Sequence, residues 1–589
     1  MANYERDDRH VNTSGQNRRK KKKKKGGTGA TIALIIIAIV LAAVIFFCIK
    51  RFGPSSTMTD LRDYYNLTKS LSEERTEATE SELAIILEED ILQTRAISQD
   101  GEVFVPLSII KSNIDDRFYY DSNENWVMTT TATDIIKSTP GTTTYLDNGE
   151  TVEAGYVIAI ESNDEIYLNV KFMDEFSCAH YEVLSDPGRV FIQYKTGTFD
   201  YCTAKKNTYI RVLGGIKADV VAKVSKGTKM RVLTNLEDWL EVLDEHGNRG
   251  YIQTNAVTDI AAEEAVSDYA EPEYTHICID EPVNLVWHSV YYEGGNATIY
   301  DYTWYMSGVN VICPSWFNFA DEEGNLTSYA DASYVEYANS IGADVWVMLD
   351  NINGESCRNV ITYTSKREKV IDTIISAVKE VGATGINIDI EGVTSDLGDD
   401  YIEFLRELSV KCRKEGIILS ADGYAPYDYN YCYHMDEQSR LCDYVVLMGY
   451  DDYLGGDEAG PNAGLIFEKE ILDLCSESMD MSRLVVGVPF YTRLWLEYED
   501  GSLGNEVYNM SQTQEIIWQH GLTTEWLSDV GYDYCEYYRD SALVRVWYEN
   551  ANSLDAKLQL ISSYNVAGVA AWQLGQETSD VWEVLSRYY

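Results

Sequence analysis

Eight apolar runs of β-type begin at Val283, Val309, Ala343, Thr384, Gly416, Tyr444, Leu484 and Ala567. Residues 329–341, 365–381, 401–415 and 552–565 carry helical periodicity between them. Buried-type strands alternating with amphipathic helices call for a parallel sheet covered by helices. Eight of them within residues 280–589 fit a (β/α)8 TIM barrel, whose chemistry sits at the strand C-termini.

The fourth run, TGINIDIE at 384–391, has polar residues at every second position. In a strand, Asn387, Asp389 and Glu391 share one face while Ile386, Ile388 and Ile390 share the other. Two carboxyls and an amide on an inward face cost several kcal/mol unless pairing or chemistry compensates. One reading is a satisfied polar cluster. The other is a carboxyl acid held protonated by its neighbours at a barrel mouth. Further chemical side chains fall at other strand ends: Met448, Tyr450 and Asp451 on the sixth, Tyr491 on the seventh, Trp572 on the eighth and Trp316 on the second.

Charge divides the chain. Residues 1–51 hold 12 Lys/Arg against 3 Asp/Glu, leaving 36 against 92 in the rest, an acidic body that argues against a nucleic-acid partner. Arg18, Arg19 and Lys20 through Lys25 precede an uncharged apolar run at 30–49, long enough to span a bilayer. Basic residues on the N-terminal flank keep that end cytoplasmic and the body outside. No small-x-small cleavage site follows, so a retained signal anchor is expected. The 11 cysteines include no CxxC pair and the 7 histidines have no ligand spacing, so no metal and no cofactor are expected.

Residues 1–29 then form a basic tail, 30–49 the membrane span and 50–80 a polar stalk. Within 81–198, the text around Phe104, Phe118 and Trp126 recurs weakly about 63 residues later, around Tyr167, Tyr181 and Val190. The run VPLSIIKSNID followed by FYYD resembles the copper amine oxidase N-terminal repeat domain, an α+β unit that implies no copper by itself. Residues 199–258, with Lys226-Gly227-Thr228, Trp239-Leu240-Glu241-Val242 and Gly250-Tyr251, resemble the small all-β bacterial SH3-like barrel. An acidic linker, 259–279, leads to the barrel at 280–589.

Those barrel motifs together resemble glycoside hydrolase family 18, the chitinase-like hydrolases, whose fourth strand reads D-G-x-D-x-D-x-E, with M-x-Y-D on the sixth and Trp on the eighth. The resemblance leans to the branch acting on bacterial walls and spore cortex. It implies that Glu391 is the general acid, that Asp389 orients the substrate's 2-acetamido group, and that Tyr450 hydrogen-bonds the acetamido carbonyl. Trp572 would floor the sugar site, with Asn387, Met448, Asp451, Trp316 and Tyr491 shaping it. The sequence departs from the pattern at Thr384 and Asn387, both Asp in the family; an Asn cannot share a proton with Asp389. Gly449 replaces a commoner Thr and is expected to leave room near the acetamide. The expected protein is thus a membrane-anchored hydrolase of N-acetylglucosamine-containing glycans, above all peptidoglycan. Its alternatives are a chitin or chitooligosaccharide hydrolase, a non-catalytic glycan-binding protein on the same fold, and an envelope scaffold.

Overall fold

The structure, a computed structural model, describes residues 28–68, 79, 81–270, 272–352, 354–453 and 458–589. The basic cluster Lys20–Lys25 lies outside them. The chain divides into two units, Met1–Tyr64 with Thr198–Glu263, and Tyr65–Gly197 with Glu264–Tyr589.

In the first unit a helix spans Thr28–Phe52. Within its Thr31–Phe52 stretch an 18-residue window has a mean hydropathy of 3.5 and lies exposed, so the helix is long and apolar enough to cross a membrane. A seven-stranded sheet runs from Gly197–Thr203 to Ala261–Ala265, over a core of Ile210, Val221, Leu240, Val242 and Ile252. Two expectations change here. The described part of the stalk is packed rather than free. Thr59 N–H donates to the Val220 carbonyl at 2.9 Å, and Leu61 and Tyr64 cover the sheet's core, because apolar side chains at that spacing need a surface. The linker also contributes, since Ala261–Ala265 adds an edge strand.

The second unit joins the repeat region to the barrel. Each copy of the repeat begins as a strand running into a helix: Glu102–Pro106 into Leu107–Asn113, and Glu165–Asn169 into Val170–Phe176. The two strands pair antiparallel, Tyr167 opposite Pro106 and Asn169 opposite Phe104, so the copies share one core. A domain with its own boundary was expected, yet the region shares a buried polar seam with the barrel. Thr130 donates to Glu403 at 2.6 Å, and Asp121 accepts from the backbone and hydroxyl of Thr364 at 2.7 and 2.6 Å. Beneath lie Arg367 paired with Glu407, and Arg406 paired with Glu403 and Glu437.

The barrel strands are β1 Val283–His288, β2 Val311–Pro314, β3 Asp344–Asp350, β4 Gly385–Asp389, β5 Ile418–Gly423, β6 Tyr444–Met448, β7 Leu484–Pro489 and β8 Gly568–Trp572. All pair in parallel in sequence order, β8 returning to β1, which closes the sheet. Trp287, Trp346, Met348, Val446 and Val485 fill the interior, while Ile386, Ile388, Leu419 and Leu447 face the helices outside. The barrel's N-terminal support begins before residue 280: Ile277 N–H donates to Asp443 at 2.7 Å and Ile279 N–H to the Tyr444 hydroxyl at 2.9 Å.

One element escaped the sequence reading. Between β7 and the helix Ala551–Ser562 stands a five-stranded antiparallel sheet, Tyr491–Tyr498, Leu503–Asn509, Glu525–Leu527, Tyr532–Arg539 and Ala542–Tyr548. Tyr491 therefore opens this sheet rather than closing β7.

Candidate active site

The strand C-termini converge on Asp389 and Glu391. Inward residues on neighbouring parallel strands stand side by side about 4.8 Å apart. Asp350 on β3 is in register with Asp389 on β4. Ile388 pairs with Ala421, so the same register sets Asp422 of β5 beside Asp389 on its other side. Three carboxyls thus occupy one tier of the barrel interior.

Burial, then repulsion from Glu391 and Asp350, pushes Asp389 up to about 8. One of its oxygens, Oδ1, is buried without a hydrogen-bond partner. Burial, with repulsion from Asp389 next, lifts Asp422 well above the carboxylate range. Burial also lifts Asp350, with Glu391 adding to it against a hydrogen bond from the Ile352 N–H. All three are raised, because several carboxyls crowded into one poorly solvated tier resist joint ionisation.

Glu391 lies two residues past β4, on the exposed lip. Its backbone is clamped by Asn351, which accepts from its N–H at 2.9 Å and donates to its carbonyl at 2.7 Å. Gly392 follows at φ +69°, a left-handed turn that a glycine makes without strain. The Tyr424 hydroxyl donates to Glu391 Oε2, an interaction the sequence reading missed. Ser420, Asp422 and Tyr424 repeat the every-second-residue polar pattern of β4, which is the signal that could have found them.

Two cavities meet at this point. One, of about 560 Å³, is lined by Tyr291, Asp350, Asn351 and Ile352 among others; the other, of about 710 Å³, by Tyr427, Tyr429, Met448, Tyr450, Asp451 and Tyr491 among others. Asp389, Glu391, Tyr424 and Trp572 line both. Trp572 rests against Trp287 with ring centroids 5.8 Å apart, and Trp287 meets Tyr450 edge-on at 6.5 Å. Asp451 accepts from Tyr491 at 2.8 Å and from Arg493 at 2.6 Å, which ties the inserted sheet to the cavity wall.

Glu391, Asp389, Tyr450, Trp572, Met448, Asp451 and Tyr491 are therefore brought together. Trp316 is not. It is fully buried in the outer core, edge-on to Tyr334, with its indole N–H donating to Asn296 at 2.7 Å, because its position past β2 turns it away from the mouth. Asn387 is also fully buried and lines neither cavity. One tier below Asp389, its amide donates to Ser420 at 3.0 Å and Asp422 at 2.6 Å, so it holds a neighbouring strand instead of substrate. The room expected at Gly449 is filled from behind. A Cβ there would stand 2.6 Å from the Gly487 carbonyl and 3.1 Å from the carboxylate of the buried Glu468.

A closed parallel barrel whose mouth gathers a lip carboxyl, an interior carboxyl raised by its surroundings and aromatic side chains has the parts that glycoside hydrolysis needs. Residues 300–577 match the glycosyl hydrolases family 18, and residues 88–186 match the copper amine oxidase N-terminal domain. The C-terminal barrel is a family 18 glycoside hydrolase domain. The chain is 23% identical over 314 residues to the uncharacterized glycosylase YvbX of Bacillus subtilis, covering 50% of this chain and 90% of that one. It is 24% identical over 292 residues to the cortical fragment-lytic enzyme of the same organism, covering 46% and 66%. A solved chitinase structure from Chromobacterium violaceum aligns at 20% identity and a TM-score of 0.47, covering 52% of this chain and 98% of that one.

Proposed function

We propose that this chain is a membrane-anchored N-acetylglucosaminidase that cuts peptidoglycan with retention, using the substrate's own acetamido group. The observation carrying this reading is the convergence of Asp389, Glu391, Tyr424 and Trp572 where two cavities join, so that a chain threaded through both presents a bond to Glu391.

Glu391, on the solvent-facing lip, protonates the leaving oxygen. Asp389, whose surroundings push its carboxyl up to about 8, accepts from the acetamido N–H and holds the group in line as the carbonyl oxygen attacks the anomeric carbon. The Tyr450 hydroxyl, kept protonated by burial, binds that oxygen, and Trp572 carries the sugar face. Water then opens the cyclic intermediate with Glu391 as base. Two inversions give net retention, the substrate-assisted exception to the paired-carboxylate scheme.

Peptidoglycan is favoured by three features. The helix Thr31–Phe52 suits an anchor, and the basic flank before it keeps the catalytic body on the wall side. The small all-β region at 199–258 reads as an SH3-like module of the kind that meets wall peptides. The similarity to a cortical fragment-lytic enzyme adds a relative named for a bacterial wall layer. The test is mass spectrometry of muropeptides after digestion of purified wall by the full chain in detergent, beside Glu391→Gln. New reducing ends on N-acetylglucosamine are expected from the wild type alone. Ends on N-acetylmuramic acid would reject the bond, and no ends would reject the activity on wall.

A further inference from the structure

Asn387 poses a chemical problem. It sits next to Asp389 on the same face of β4 and cannot share its proton, yet Asp389, only half-buried as a residue, has its Oδ1 buried without a partner. The neighbouring strand supplies what Asn387 lacks. Asp422, only 3% exposed, continues the β4–β5 register beside Asp389. It is also fixed in place. The Asn387 amide nitrogen donates to Asp422 Oδ1 at 2.6 Å and to the Ser420 hydroxyl at 3.0 Å. The Asn387 oxygen is engaged as well, by the Trp287 indole N–H at 3.4 Å and the Cys313 thiol at 3.5 Å. With its oxygen occupied on that side, Asn387 can meet Asp422 only as a donor, which makes Asp422 Oδ1 an acceptor.

We propose that Asp422 is the positioning residue with which Asp389 shares a single proton, Asn387 acting as the clamp that aims it. The proposal rests on the role given to Asp389 above. In the resting pair one proton is held between the two carboxyls, while Asp422 Oδ1 accepts from the Asn387 amide. When Asp389 turns to accept from the acetamido N–H, its proton passes to Asp422. One O–H bond breaks, one forms, and the pair keeps a single negative charge throughout. A lone carboxyl in that place would have to gain or lose charge in a dry interior at each turnover.

The groups facing the pair are consistent with this. Glu391 stands above it and Asp350 flanks Asp389 from β3; Trp287 of β1, Cys313 of β2, and Tyr450 past β6 surround it. Tyr401 lies behind the two strands. Among the described residues no lysine or arginine lines either cavity, so no cation there neutralises the tier.

The test compares wild type, Asp422→Asn, and the exchange Asn387→Asp with Asp422→Asn, each as full chain in detergent. The probe is 4-methylumbelliferyl chitotrioside, and kcat/KM is followed across pH. Asp422→Asn is expected to lose at least tenfold at neutral pH and to move its alkaline limb toward acid by about one pH unit, since an amide beside Asp389 favours its ionised form. The exchange, which returns a second carboxyl to β4, is expected to move the limb back. A profile of wild-type shape, merely scaled down, would overturn the proposal in favour of simple packing.

A second readout does not need catalysis. A carboxyl pair raised by folding stabilises below its unfolded value, near 4, and loses that stability as pH rises through the folded value. The fall in Tm from pH 4 to pH 8 is therefore expected to be shallower in Asp422→Asn. If the wild type releases no fluorophore, the functional reading fails, and these melting series alone decide the proton sharing. Parallel Tm curves would overturn it.

Discussion

In the proposed mechanism Glu391 and Asp389 divide one task by environment: the first sits on the lip with Asn351 on its backbone and Tyr424 on its side chain, the second inside a carboxyl tier. Replacing Glu391 by Gln is expected to cut kcat by roughly 10²–10⁴-fold with little change in KM. Tyr424→Phe removes only the donor to Glu391, and a loss of about tenfold in kcat is expected, as befits one charge-assisted hydrogen bond. Asp389→Asn should trade activity for stability. Because folding raises Asp389 from 3.8 to about 8, its neutral form stabilises fully below pH 4, and that contribution drains away toward pH 8. The Asn variant is thus expected to gain Tm over wild type at pH 8 and not at pH 4, with a difference on the order of 2 kcal/mol or more. At this scale the sequence was legible where polar residues alternate along a strand. The β4 pattern gave Asp389 and Glu391; the equal pattern at Ser420, Asp422 and Tyr424 was passed over because it lacks a run of flanking isoleucines. Trp316 shows the converse, since an aromatic beside a strand end serves an outer core as readily as a cleft.

The elements of the barrel were legible because each strand is an apolar run and four of the segments between them carry a clear helical period. Helices observed at Thr364–Val381 and Gly398–Glu415 lie within a few residues of the periodicity that predicted them. The sheet inserted after β7 was not legible in the same way. Its strands alternate rather than run apolar, as in Ala542–Tyr548, and hairpins of that kind read as loop inside a βα frame. Its tight turn at Asp540–Ser541, with φ of 49° and 66°, was the available signal. Two substitutions test the packing of these elements. Gly449→Ala forces a methyl against the Gly487 carbonyl and Glu468, and thermal unfolding should show a loss of about 1–3 kcal/mol. Arg406→Ala leaves Glu403 buried without a cation and Glu437 with only Arg440 at 3.5 Å, for a loss of about 3–5 kcal/mol.

Across the whole molecule, charge and the proposed anchor bear on what the cleft would meet. The chain carries a net −47, and the carboxyls of Asp350, Asp389, Glu391, Asp451 and Asp452 line the cavities; burial and Glu470 lift Asp452 to about 6. Such a cleft suits glycan whose lactyl groups are neutralised by peptide linkage. Wall stripped of its peptides, which bares lactyl carboxylates, is expected to be cut more slowly, and added salt should narrow the gap. The joining of repeat region to barrel through Thr130–Glu403 and Asp121–Thr364 was beyond the sequence, because tertiary partners so distant leave no local period. The central claim, that Asp389 and Glu391 cleave through the substrate's own acetamido group, is tested most directly by proton NMR of an N-acetylglucosamine hexamer during the first minutes of digestion. The account predicts that the new reducing ends appear first as the β-anomer, before mutarotation. First appearance of the α-anomer, or no cleavage where Glu391→Gln and wild type behave alike, would contradict it.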